Sequence, residues 1–276
     1  MRAPRELLSD ARLADDQLVA EDRNFVTALA RGLEILRCFG PGDEVLGNAE
    51  LSKRTGIPKP TVSRLTYTLT RLGYLRYVER LEKYQLGAGV LALGFSYLAS
   101  IGVRSIARPL MQELADATDC QVSLGAPDRL SMVYLEVCQG SGPLILRVGV
   151  GARLPMATSA IGRAYLAVLP EIERARYYRA FQEQDPENWP RIREGLERAI
   201  EDYRRLGFCM SEGAWDPDIS GVAVPLVMGD SGSVVVFNCG GSSLRLTQRV
   251  LETNLGPRLV ELVRRVEAQI GGARGG

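Results

Sequence analysis

The chain has 276 residues and is nearly neutral, with 34 lysines and arginines against 33 aspartates and glutamates, and it contains no histidine. At 46% apolar and 24% charged residues it has the composition of a globular protein long enough for two domains. This balance excludes a generally basic nucleic-acid coat protein. The missing imidazole removes the commonest general base and metal ligand, so no catalytic residue, metal or cofactor is expected.

Residues 1–23 are mixed polar and charged and read as a mobile arm. Phe25, Leu29, Leu33, Leu36 and Phe39 then recur at helical spacing, which predicts an inward stripe that stops at Gly40-Pro41. Asn48 is placed to cap a second helix, with Leu51 inward and Gly56 as the left-handed exit. A third helix follows Pro58, with Pro60 tolerated in its first turn and Gly73 at its end. Val62, Leu65, Leu69 and Leu72 are its expected buried stripe, and Thr61, Ser63, Arg64, Tyr67, Thr68 and Arg71 face out.

Between Glu50 and Glu79 there is no acidic residue, yet the stretch holds Lys53, Arg54, Lys59, Arg64, Arg71 and Arg76. Strand-like runs at 74–78 and 83–86, around a charged turn, complete a winged helix-turn-helix over residues 24–86. A positive, hydroxyl-rich helix of this kind suits the DNA major groove, where cations neutralise phosphates and short polar side chains reach base edges.

Leu86 to Val103 carries no charge over 18 positions. Its glycines and serines suit helix packing better than a membrane span, so residues 87–103 are read as a linker and dimerisation helix, with no membrane partner. Residues 104–270 alternate helices with strand-like runs. Strands are expected at 121–126, 130–138, 144–150, 208–211, 221–228 and 233–239, and helices at 104–117, 161–169, 171–183, 189–206 and 247–270. Hairpins through Pro127-Asp128 and Gly229–Gly232 imply an antiparallel sheet with helices packed on it, an α+β domain, followed by a loose tail at 271–276.

The five cysteines are scattered, and no secretory-signal pattern is present, so reduced thiols and a cytoplasmic location are expected. Gly229-Asp-Ser-Gly232 matches the nucleophile segment of trypsin-like proteases, but no histidine exists to activate Ser231; the tetrapeptide reads as a hairpin turn, and the protein as no enzyme. The competing readings are a winged helix that binds protein, or a redox sensor using Cys209 or Cys239.

Several motifs in order carry a more specific resemblance: Ala30-Arg-Gly-Leu-Glu-Ile-Leu36, Glu50 to Lys59, Thr61-Val-Ser-Arg-Leu65, Leu72-Gly-Tyr-Leu75, Gly151 to Ala167, Gly221-Val-Ala-Val-Pro-Leu226 and Phe237-Asn-Cys-Gly-Gly241. From about Phe25 to Ile270 the chain resembles the IclR family of bacterial transcriptional regulators. The resemblance implies a winged-helix domain, a linker helix and a C-terminal effector domain of GAF-like topology. It also implies an operator bound as dimers or dimers of dimers, and a small-metabolite effector, often an organic or aromatic acid, that represses or activates catabolic genes.

Carried over residue by residue, the recognition helix becomes Lys59 to Leu72. Lys59, Thr61, Ser63, Arg64, Thr68 and Arg71 are then its candidate DNA contacts, with Arg76 and Lys83 on the wing. The effector pocket maps to Leu146, Leu154, Ala160, Ile161, Val222, Val224, Phe237 and Cys239, with Glu212 the approximate match to an acidic pocket residue. The residues themselves support such a pocket: Thr158-Ser159-Ala160 precedes a helix whose free N–H groups favour a carboxylate. Leu154, Val222 and Phe237 would form apolar walls and Trp215 an aromatic one, although each also has a plain core reading. The segment Glu212 to Asp218 departs from the family pattern.

Overall fold

A computed structural model describes residues 24–40, 42–140, 148–229 and 232–273. The expected N-terminal arm, Leu146 and most of its predicted strand, and Ser231 lie outside the described residues. The chain divides into two compact units between Ser100 and Ile101, slightly before the expected boundary at 103.

In the first unit, helices α1 (Thr27–Arg37), α2 (Asn48–Thr55) and α3 (Lys59–Arg71) precede a hairpin of β1 (Leu75–Val78) and β2 (Lys83–Leu86). Ile35, Leu46, Leu51, Ile57, Val62, Leu69 and Leu75 form its core. At roughly 1.5–3 kcal/mol per fully buried side chain, this small cluster is what holds the three helices together.

Helix α2 starts one residue earlier than a cap at Asn48 would have it. Gly47 is the N-cap, and its N–H donates to the Glu50 carboxylate at 2.7 Å. Glycine offers no side chain in return, so only the carboxylate half of a capping box forms. Gly56 leaves the helix at φ 70, a left-handed conformation that glycine adopts without strain. Thr66 is fully buried despite its hydroxyl, which lies 3.0 Å from the Val62 carbonyl and 3.2 Å from Asn48 Oδ1.

Two expected stripes are corrected. Phe25, Leu29 and Leu33 are exposed, because α1 buries Gly32 and Ile35 instead and leaves Leu36 and Phe39 packed at the edge. Leu72 is also exposed, since it follows the last residue of α3 where the stripe ends.

The uncharged stretch forms α4 (Ala88–Ser100), none of whose residues is buried. Among the described residues no single helix is long and apolar enough to cross a membrane.

The second unit opens with α5 (Gly102–Thr118). Its six-stranded sheet comprises β3 (Gln121–Asp128), β4 (Ser131–Gln139), β5 (Arg153–Pro155), β6 (Cys209–Glu212), β7 (Ile219–Met228) and β8 (Ser233–Ser242). The order is β5-β4-β3-β8-β7-β6, with every neighbouring pair antiparallel. Helices α6 (Ala160–Val168), α7 (Glu171–Gln184) and α8 (Trp189–Leu206) follow β5. A short turn at Gln248–Val250 and a π-helical stretch at Leu251–Leu255 lead into α9 (Gly256–Ala273), so the predicted helix over 247–270 is interrupted and runs past Gly271, where a loose tail was expected.

The β3–β4 turn lies at Arg129-Leu130 rather than at Pro127-Asp128, because Asp128 pairs with Ser131 and Arg129 takes the positive φ of 54. Strand β5 was not expected from the sequence; its three residues, Arg153-Leu154-Pro155, are too few for a periodic signal.

Helices α5 and α9 cover one face of the sheet, where Ala107, Met111, Leu259, Val263 and Val266 join Val122, Leu124 and Leu226 in the main core. Helix α6 packs on the other face, where Ile161 reaches the backbone of Gly125. With both faces covered, both sets of alternate residues in β7 and β8 are buried.

Candidate nucleic-acid interface and ligand cleft

The outer face of α3 is built as its periodicity predicts. Ser63, Arg64, Tyr67, Thr68 and Arg71 are exposed and Thr61 is half-buried at the helix start. The Thr68 hydroxyl donates to the Arg64 carbonyl at 2.9 Å, which leaves its oxygen free to accept.

Arg54 and the candidate DNA-facing cations fall into two groups. Arg54 is held by a bidentate pair with Asp43 at 2.7 and 2.9 Å and by the Cys38 carbonyl at 2.8 Å. On the wing, Lys83 pairs with Glu50 at 3.0 Å. The Gly47 N–H and then Lys83 hold the Glu50 carboxyl below the usual carboxylate range. Lys59, Arg64, Arg71 and Arg76 are exposed and make no ion pair among the described residues. The acids that pair Arg54 and Lys83 lie outside the acid-free window, at Asp43 and at Glu50 on its edge, so sequence alone could not separate the two groups.

In the second unit a small cleft lies between α6 and the edge of the sheet. It is lined by Leu154, Ser159, Ala160, Trp215 and Val148 together with polar groups of β4, β6, β7 and β8, and its cavity volume is about 30 Å³. Ser159 is the N-cap of α6, its oxygen accepting from Gly162 N at 3.3 Å while its hydroxyl donates to the Pro155 carbonyl at 2.6 Å. Gly162 permits this junction, since a Cβ there would lie 2.1 Å from the Met156 carbonyl oxygen. Ser211 donates to the Thr158 carbonyl at 2.8 Å and ties β6 to the same loop.

Leu154, Ser159, Ala160 and Trp215 are thus the sequence candidates that meet at the cleft. Val222, Val224, Phe237 and Cys239 do not: they lie in the core beneath α5 and α9, on the opposite face of the sheet. Their neighbours Gly221, Asn238 and Gly240 line the cleft instead, as a one-residue change of position along a strand must bring about. Ile161 is fully buried against the sheet backbone. Glu212 is exposed and alternates away from Ser211, which takes the cleft position. The missed residues Tyr134, Ser211, Ser220 and Asn238 are polar groups in strands whose alternation gave no sign of which face is open.

The thiols of the redox reading are core groups. Cys209 is fully buried, donates to the Ala199 carbonyl at 3.1 Å, and has its thiol pushed up by burial. Cys239, equally buried, is pushed up by its hydrogen bond with Cys120 and by burial. Neither is an accessible thiolate.

A winged helix-turn-helix with a cationic face unpaired among the described residues, joined in one chain to an α+β domain with a polar cleft, defines a ligand-responsive DNA-binding regulator. Residues 28–79 match the IclR helix-turn-helix domain, and residues 95–270 match the C-terminal domain of bacterial IclR transcriptional regulators. The chain belongs to the IclR family. It is 38% identical to the HTH-type transcriptional regulator TsaQ1/TsaQ2 of Comamonas testosteroni over 94% of each chain. The crystal structure of an IclR-family regulator from Brucella abortus matches with a TM-score of 0.85 and 52% identity over 90% of this chain and 94% of that one. An IclR homolog from Microbacterium hydrocarbonoxydans, complexed with 4-hydroxybenzoate, shares the fold at a TM-score of 0.70 and 18% identity, over 89% of this chain and all of that one.

Proposed function

We propose that the protein regulates a catabolic operon from the cytoplasm by binding a pseudo-palindromic operator as a dimer or dimer of dimers, and that a small organic acid in the cleft alters this binding. The observation that carries the reading is the outer face of α3, whose cations stay unpaired while neighbouring Arg54 and Lys83 are held by carboxylates.

Arg64, Ser63 and Thr68 face base edges, Thr61 lies at the helix entry, and Lys59, Arg71 and Arg76 serve phosphates. Lys83 holds the wing to α2 through Glu50 and reaches phosphate only by giving up that pair. Exposed apolar side chains at the start of the first unit (Phe25, and Leu29 and Leu33 on α1) and on α4 (Leu91, Phe95) support self-association, which would take them out of water.

The acid's carboxylate sits at the N-terminus of α6, beside Ser159 and Ala160. The 4-hydroxybenzoate complex of the Microbacterium homolog supports an acid effector. A cavity of about 30 Å³ holds roughly one water, so an acid enters only as the cleft walls part; that movement is the proposed link between ligand and DNA affinity.

The test is fluorescence anisotropy on DNA from upstream of the protein's own gene, at two salt concentrations and with unrelated competitor DNA. Three phosphate-facing cations per protomer, roughly six phosphate contacts per dimer, give a slope of log K against log salt of about −5. Binding that competitor DNA removes as readily as operator DNA would sink the sequence-specific reading.

A further inference from the structure

The strand face behind the cleft, of which Tyr134 and Asn238 line the cleft itself, is more polar than an apolar skeleton requires. On the α6 side of the sheet, Gln121, Ser123, Tyr134 and Asn238 are all more than nine-tenths buried. Ser123 on β3 sits directly opposite Asn238 on β8, and Gln121 lies two residues along, opposite Gly240; Asn238 and Gly240 both line the cleft. Asn238 Nδ2 donates to the Tyr134 hydroxyl at 3.3 Å, which leaves the phenolic proton unspent. The Tyr134 hydroxyl is pushed up to about 12 by burial, so it remains a donor at neutral pH. The Ser123 hydroxyl lies beside that oxygen. Yet neither Ser123 Oγ nor Gln121 Oε1 reaches hydrogen-bond geometry with any partner among the described residues. Buried polar groups left unpaired destabilise a fold, and two on one strand face beside a cleft call for a ligand that pairs them.

The geometry points to a specificity device for a hydroxyl group: Gln121, Ser123, Tyr134 and Asn238 select small monocarboxylic acids that carry a neutral hydroxyl on the carbon skeleton. This rests on the acid-sensor reading of the same cleft. A hydroxyl both donates and accepts, so it satisfies Gln121 Oε1 as acceptor and Ser123 or Tyr134 as donor together. A methyl group in its place leaves them unpaired, and a second carboxylate meets no cationic side chain among the described residues of the lining.

Calorimetric titration of the full-length protein tests this with matched acids: the three hydroxybenzoates against the three methylbenzoates, and 3-hydroxybutyrate against 3-methylbutyrate. At least one hydroxyl acid should bind about ten-fold or more tightly than its methyl partner. Ser123→Ala and Gln121→Leu should bring that ratio close to one while the methyl acid binds as well or better. The same variants without ligand should melt at the wild-type temperature or higher, because each removes an unpaired buried group. Methyl acids that bind as tightly as hydroxyl acids overturn the proposal. So does a melting temperature that falls in both variants, which would make the groups structural. If no acid of any set binds, the acid-sensor reading itself fails, and this proposal with it.

Discussion

The outer face of α3 and the floor of the cleft are both polar sites set against apolar cores, but only the first is announced by its periodicity. Helix α3 has one buried side, so the 3.6-residue period sorts Val62 and Leu69 inward and Arg64, Thr68 and Arg71 outward without further information. Strands β7 and β8 are buried on both sides, and a period of two then gives two equal sets of residues with no label. Phe237 and Cys239 lie in the core, and Asn238 and Gly240 beside them line the cleft. A site on a surface helix is a pattern; a site on a doubly covered sheet is a choice of face.

The sharpest way to break this comparison is to mutate adjacent residues of β8. Phe237→Ala should lower stability by about 3–5 kcal/mol, as loss of a fully buried aromatic ring does. Asn238→Ala should cost about 1 kcal/mol, the worth of its bond to Tyr134, and should fall mainly on ligand affinity. Urea denaturation checks both, and equal costs would mean that the two faces are not different.

Glu136 on β4 shows how much the second unit commits to one arrangement. Its carboxylate is 3% exposed and is paired with Arg104 at 2.7 Å and with Arg108, whereas the two arginines are 30% and 58% exposed. Removing both arginines leaves a buried charge uncompensated and should cost about 3 kcal/mol or more. Glu136→Gln leaves two arginines that water can reach, so it should cost less; melting temperatures of the two variants decide the order.

On the first unit, Arg64→Ala should weaken operator binding by about 1–3 kcal/mol while the urea midpoint stays in place, since the side chain is exposed. A loss of folding would show that the outer face of α3 also serves the core, and would erase the contrast with the sheet.

The smallest effect concerns the wing. Because Glu50 is held below the usual carboxylate range, its contribution is present above about pH 4.3 and is lost as pH falls through the lowered value. The pair is partly exposed, so the effect should stay within about 1 kcal/mol. Glu50→Gln should remove that acid-limb difference in a pH series of melting curves.

By itself the sequence determined the winged helix-turn-helix, the outward face of α3, the uncharged α4, the long α8 and most strands of the sheet. In each case the information is local: a helical period, a glycine that permits a left-handed exit, or a run of β-branched residues. Only the tertiary structure decided which cations of the basic window and the wing are paired, because Asp43, which holds Arg54, comes from outside the window and Glu50, which holds Lys83, from a helix that precedes the wing. It also decided that Phe25, Leu29 and Leu33 face outward and that the cleft opens on the Asn238 side of the sheet. Both depend on which neighbour covers which face, and that is set by contacts between residues far apart in the chain.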